Sequence, residues 1–103
     1  MYPDANPPVP AELAREIEAI EHRHLDAFGL ERVDITAAHD HDGDPVILVE
    51  VHHTGAHSAN EDDRVSAEAL AADKEVWERA TRMGESRFVH IRHKFPEEEE
   101  EMA

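Results

Sequence analysis

The chain has 103 residues, 25 of them acidic against 10 basic, with nine histidines, no cysteine and a formal net charge of −15. That length suits one core, hiding about two-thirds of the unfolded surface. The charge repels phosphate backbones and anionic membranes, which argues against nucleic acid and membrane partners, and the lack of cysteine excludes disulfides, thiolate zinc sites and cysteine nucleophiles.

Residues 1–10 carry prolines at positions 3, 7, 8 and 10. Proline removes backbone donors and favours extended chain, so this segment reads as a flexible arm whose last proline opens a helix. It has no basic, apolar signal segment, and no run approaches the roughly 18 apolar residues of a membrane span, so a cytoplasmic location is expected. Residues 11–28 place Leu13, Ile17, Ile20, His24 and Phe28 at helical spacing, with Gly29 available to end the helix in left-handed geometry. Residues 32–38 alternate, Val33, Ile35 and Ala37 on one face and Arg32, Asp34 and Thr36 on the other, as a half-buried strand requires. Residues 46–52 alternate as well, with Ile47, Val49 and Val51 opposite Val46, Leu48, Glu50 and His52.

For the two apolar strand faces to coincide, the hairpin loop must hold an odd number of residues, since a one-residue slip inverts every side chain. Three residues, His41, Asp42 and Gly43, with positive φ at the glycine, are the preferred loop, and five reaching Pro45 the runner-up. A loop over 54–63 follows. Ser66 is then expected to cap a second helix reaching Met83, its apolar side formed by Val65, Ala69, Leu70, Val76, Trp77, Ala80 and Met83. "RFVHIRHKF" reads as a last strand with Val89 and Ile91 inward. Pro96 is followed by five glutamates at 97–101, a self-repelling run that makes 96–103 a disordered acidic tail.

The expected fold is therefore α+β in the order αββαβ: a single domain over 11–95, with a three-stranded mixed sheet and two helices on one face. A right-handed crossover through the second helix makes the third strand parallel to the second, giving strand order 1-2-3, with 2-1-3 as the alternative.

A strand ending in an acidic residue, then "HDGDP", "VILVEV", a helix and "GESRFVHIRHKF", resembles a family of small uncharacterised bacterial α+β proteins whose hairpin carries an acidic-Gly-acidic-Pro turn. The likeness covers residues 30–95. It implies a compact α+β unit working with a partner protein, and it carries over no catalytic residue and no cofactor.

Imidazole and carboxylate are the ligands open to a cysteine-free metal protein. Adjacent His52 and His53 point to opposite strand faces, as do His90 and His93, so neither pair converges on one ion. Glu50, His52 and His90 share a face and make a two-histidine, one-carboxylate candidate for a divalent metal. "DHDGD" is no calcium loop, since the twelfth position from Asp40 is Val51 rather than a bidentate glutamate. No Gly-rich phosphate loop, "HExxH" or nucleophile elbow is present, so no enzyme activity and no cofactor are expected. A KH-like RNA module shares the element order, but the glycines at 29, 43, 55 and 84 form no GxxG loop and the charge opposes it. One sheet face remains uncovered, with Val46, Leu48 and Phe88 on it as interface residues. The leading expectation is a non-enzymatic protein-interaction or regulatory module, homodimeric or the acidic partner of another protein, with metal binding as the alternative.

Overall fold

The computed structural model describes residues 6–54 and 59–95. Helix α1 spans Ala11–Leu25, and Pro10 at its N-cap offers its carbonyl to Ala14 N–H at 3.0 Å. A 3₁₀ turn over Asp26–Phe28 closes on Gly29, whose φ of 87° is open to glycine without penalty. Gly29 also lets two segments meet: its carbonyl accepts Thr54 N–H at 2.8 Å, and a Cβ there would lie 2.5 Å from Thr54 Oγ1.

Strands β1 (Leu30–His39) and β2 (Pro45–His53) pair antiparallel, with Val33 opposite Val51, Ile35 opposite Val49 and Ala37 opposite Ile47. The apolar faces coincide as the alternation requires. The hairpin is the three-residue solution: Gly43 N–H donates to Asp40 O at 2.9 Å, Asp40 N–H to Asp44 O at 3.0 Å, and Gly43 has φ 88°. Asp40 Oδ1 accepts the backbone N–H of both Asp42 and Asp44 at 2.9 Å, and these donors hold its carboxyl below the usual range. At the far end of β1 the register slips between Leu30 and Arg32. The bulge at Glu31 turns Leu30 against the core, on the side its simple parity denies it.

Helix α2 runs Ala59–Arg82, so it begins before Ser66, which lies within it and caps nothing. Of the loop expected over 54–63, residues 59–63 belong to this helix, and residues 55–58 lie outside the described residues. Its buried stripe also differs from the expected one. Val65, Ala69, Ala72, Asp73, Val76 and Ala80 face inward, while Leu70, Trp77 and Met83 are 66%, 37% and 39% exposed. Small residues let α2 approach α1 closely, and the bulky ones are left to flank the contact.

Strand β3 (Phe88–Lys94) pairs parallel to β2, Val49 opposite Ile91, and the sheet order is β1-β2-β3. The chain is an α+β fold in αββαβ order with a mixed sheet. Leu13, Ile17, Ile20 and Leu25 of α1 and Val76 of α2 pack on Val33, Ile47, Val49, Val51 and Val89, so both helices cover one sheet face. Of the expected arm, residues 1–5 lie outside the described residues. Asn6 donates to Ala38 O at 2.7 Å and accepts Arg87 Nη1 at 2.9 Å, and Val9 packs against the core. The acidic tail at 96–103 lies outside the described residues too.

Candidate functional site

The uncovered sheet face is a grid set by register. Ala38, Val46 and Phe88 form one row, Thr36, Leu48 and His90 the next, then Asp34, Glu50 and Arg92, and finally Arg32, His52 and Lys94. Size rises along the first row, from alanine to phenylalanine. Phe88 is 60% exposed, Leu48 is half-buried, and Val46 is only 6% exposed, so it floors the face instead of protruding from it. Beside it Trp77 of α2 donates its indole N–H to Val89 O at 2.7 Å, and its ring lies 6.3 Å from Phe88. A shallow groove of about 220 Å³ opens on this face between the hairpin and His90, over Ala38, Val46 and Leu48.

The charged end of the same face holds Glu50, His52 and His90. Glu50 meets Lys94 at 3.1 Å, and His52 Nε2 lies 3.1 Å from Asp34, which also takes Arg32 at 3.2 Å. Asp34, not His90, joins Glu50 and His52 as a possible three-ligand group. His90 is exposed and meets Phe88 edge-on at 6.1 Å.

On the opposite side of the sheet the fold gathers a second polar group, drawn from four elements. Glu21 of α1 is 0% exposed, His53 at the end of β2 is 2% and Asp73 of α2 is 9%. His93 of β3 bridges them, with Nδ1 2.9 Å from His53 Nε2 and Nε2 3.0 and 3.1 Å from the two Asp73 oxygens. Phe95 stacks on His53 at 4.3 Å. Ligand atoms of Glu21, Asp73 and His93 all lie within 4.8 Å of one another. No donor group among the described residues reaches either Glu21 oxygen. Burial first, then hydrogen bonding with the Asp73 carboxyl and the charge of Asp73, pushes the Glu21 carboxyl up to about 9.

None of these four was a candidate from sequence, yet each had a signal. Glu21 follows Ile17 by four on the buried stripe, Asp73 precedes Val76 by three, and His53 and His93 continue the inward parity of Val49, Val51, Val89 and Ile91. The expectation that adjacent histidines diverge is met; the convergent pair is across strands, His53 with His93.

A third cluster joins the helices. His24 of α1 lies 2.6 Å from Glu68 and 2.8 Å from Glu75 of α2, and Arg23 also bonds Glu75. Glu75 first, then Glu68, raises the His24 pKa, and Arg23 with His24 lowers Glu75 to about 2.

Among the described residues no helix is long and apolar enough to cross a membrane. No family model, curated protein or solved structure matches the chain.

Proposed function

We propose that the chain is a non-enzymatic, cytoplasmic self-association module whose uncovered sheet face docks on the same face of a second copy. The observation that carries this is the gradient of size along the first row of the grid: Ala38 at one end, Phe88 at the other, 60% exposed. A two-fold axis parallel to the strands lays β3 of one copy opposite β1 of the other and keeps the rows level. Phe88 then descends on Ala38 of the second copy, and Val46 and Leu48 meet their own counterparts. Packed sheets cross at about 30°, so the charged rows diverge from the contact while the apolar end stays in register. The buried floor at Val46 corrects one expected contact: it shapes the recess, and Leu48 and Phe88 fill it.

Three strands make a small interface, at the low end of stable ones, so the dimer is expected at roughly micromolar concentration. Sedimentation velocity across a concentration series tests it. Wild type should pass from monomer to dimer, and Leu48→Ser with Phe88→Ser should stay a folded monomer throughout. Ala38→Phe, which fills the recess without touching the core side, should also prevent dimerisation. A wild type that is monomeric at hundreds of micromolar, well above the expected range, would overturn the proposal.

A further inference from the structure

Glu21 and Asp73 bring two carboxylates into the interior from facing helices, and among the described residues neither is paired with a lysine or arginine. Like charges in a low-dielectric interior repel strongly, and a buried carboxylate without donors lacks what normally offsets its lost hydration. Hydrogen bonds inside the cluster leave this unanswered. His93 spends both ring nitrogens on His53 and Asp73, and no donor group among the described residues reaches Glu21, which can bond Asp73 only while one of the two acids keeps a proton.

We propose that Glu21, Asp73 and His93 form a binding site for a divalent first-row transition ion, with His53 positioning the histidine ligand. Two carboxylates and one neutral imidazole balance a double positive charge. Donors about 2.1 Å from one ion stand about 3.4 Å apart in a tetrahedron. The three ligand atoms all lie within 4.8 Å of one another, so side-chain rotations that move them by about an ångström would bring them onto one ion. The imidazole favours zinc, manganese, iron or cobalt over calcium and magnesium, which take oxygen ligands. His93 Nε2 is the nitrogen that faces Asp73; with an ion in place Nε2 would give up its proton, and Nδ1–H would then donate to His53 Nε2 2.9 Å away, the role an outer partner of a metal-bound histidine commonly takes. A groove of about 250 Å³ bounded by Asp73, His93, Leu70 and Phe95 gives an entry route and room for water ligands. The surface group of Asp34, Glu50 and His52 lacks this character, because it is half-exposed and its members already hold Arg32, Lys94 and one another.

This site lies on the helix side of the sheet and is independent of docking by the open face. The test is calorimetric titration of the chelator-stripped full chain with zinc, manganese and calcium chlorides. One zinc or manganese ion per chain is expected, with calcium not bound. Glu21→Gln and Asp73→Asn should each weaken binding at least tenfold and His53→Asn about tenfold. Asp34→Asn with His52→Asn should bind as wild type does. Circular dichroism of the ion-free variants checks folding. Should Asp73→Asn unfold, the near-isosteric Glu21→Gln decides, through loss of the visible cobalt(II) spectrum of the wild type. A wild type that retains neither zinc nor manganese overturns the site, as does binding that survives Glu21→Gln but is lost in the Asp34/His52 variant.

Discussion

Between pH 4.5 and 9 the Glu21 carboxyl is neutral in the fold and ionised in the unfolded chain, because burial and Asp73 raise its pKa to about 9. The sign follows from proton binding. The folded state holds the extra proton, so the stability Glu21 confers is complete below 4.5 and is lost as pH rises towards 9. Urea denaturation in the presence of chelator should show this decline, and Glu21→Gln should flatten it. At about pH 8 the variant should be more stable than wild type by on the order of 1 kcal/mol, since glutamine takes up no proton on folding. A steeper slope in the variant would contradict the assignment. His24 adds a second decline of the same sign: its raised pKa means that its bond to Glu75 and Glu68 is fully charged below the ordinary histidine value of 6.5 and fades above it. In NMR titration the His24 ring should lose its proton above the ordinary histidine value of 6.5. A midpoint at or below that value would refute the clamp. These residues were legible from spacing alone, and they went unread because charged side chains are ordinarily assigned to solvent. Here the neutral form of the acid, or an ion, makes the exception.

Strands and hairpin were the most legible elements, since alternation over Val33, Ile35 and Ala37 and over Ile47, Val49 and Val51 leaves one register that buries both sets. Helix α2 was less so. Its inward stripe is carried by Ala69, Ala72 and Ala80, residues that signal weakly in a hydrophobic pattern, while exposed Leu70 and Trp77 signal strongly. The start of β1 was hidden by the bulge at Glu31, which no alternation can announce. Two glycines separate conformational strain from crowding. At Gly43 an added Cβ meets nothing within 4 Å, so Gly43→Ala should cost about 1 kcal/mol from its positive φ alone. Gly29→Ala should cost more, about 2 kcal/mol, because the methyl group also displaces Thr54 Oγ1 where α1 hands over to β1. Thermal melts of both variants give the order, and a smaller loss at Gly29 would show that the Thr54 contact yields freely.

A net charge of −15 on 103 residues works against association of identical chains. Docking through the open face should therefore tighten as salt screens the repulsion, and sedimentation at about 0.05 M and 0.5 M sodium chloride should show more dimer at the higher value. Weakening with salt would mean that charge pairs, not Phe88 and Leu48, hold the copies together. The sequence anticipated which face lies uncovered, while the recess above Val46 depends on three strands at once and had no local signature. Trp77 gives this face a built-in optical gauge. It is the chain's single tryptophan, 37% exposed, its indole tethered to the Val89 carbonyl and its ring beside Phe88. Covering Phe88 removes water from one flank of that indole, so emission of the wild type should shift to the red on dilution. Emission of the Leu48→Ser, Phe88→Ser chain should hold one wavelength at every concentration, which makes the unlabelled protein its own reporter of how many copies are bound.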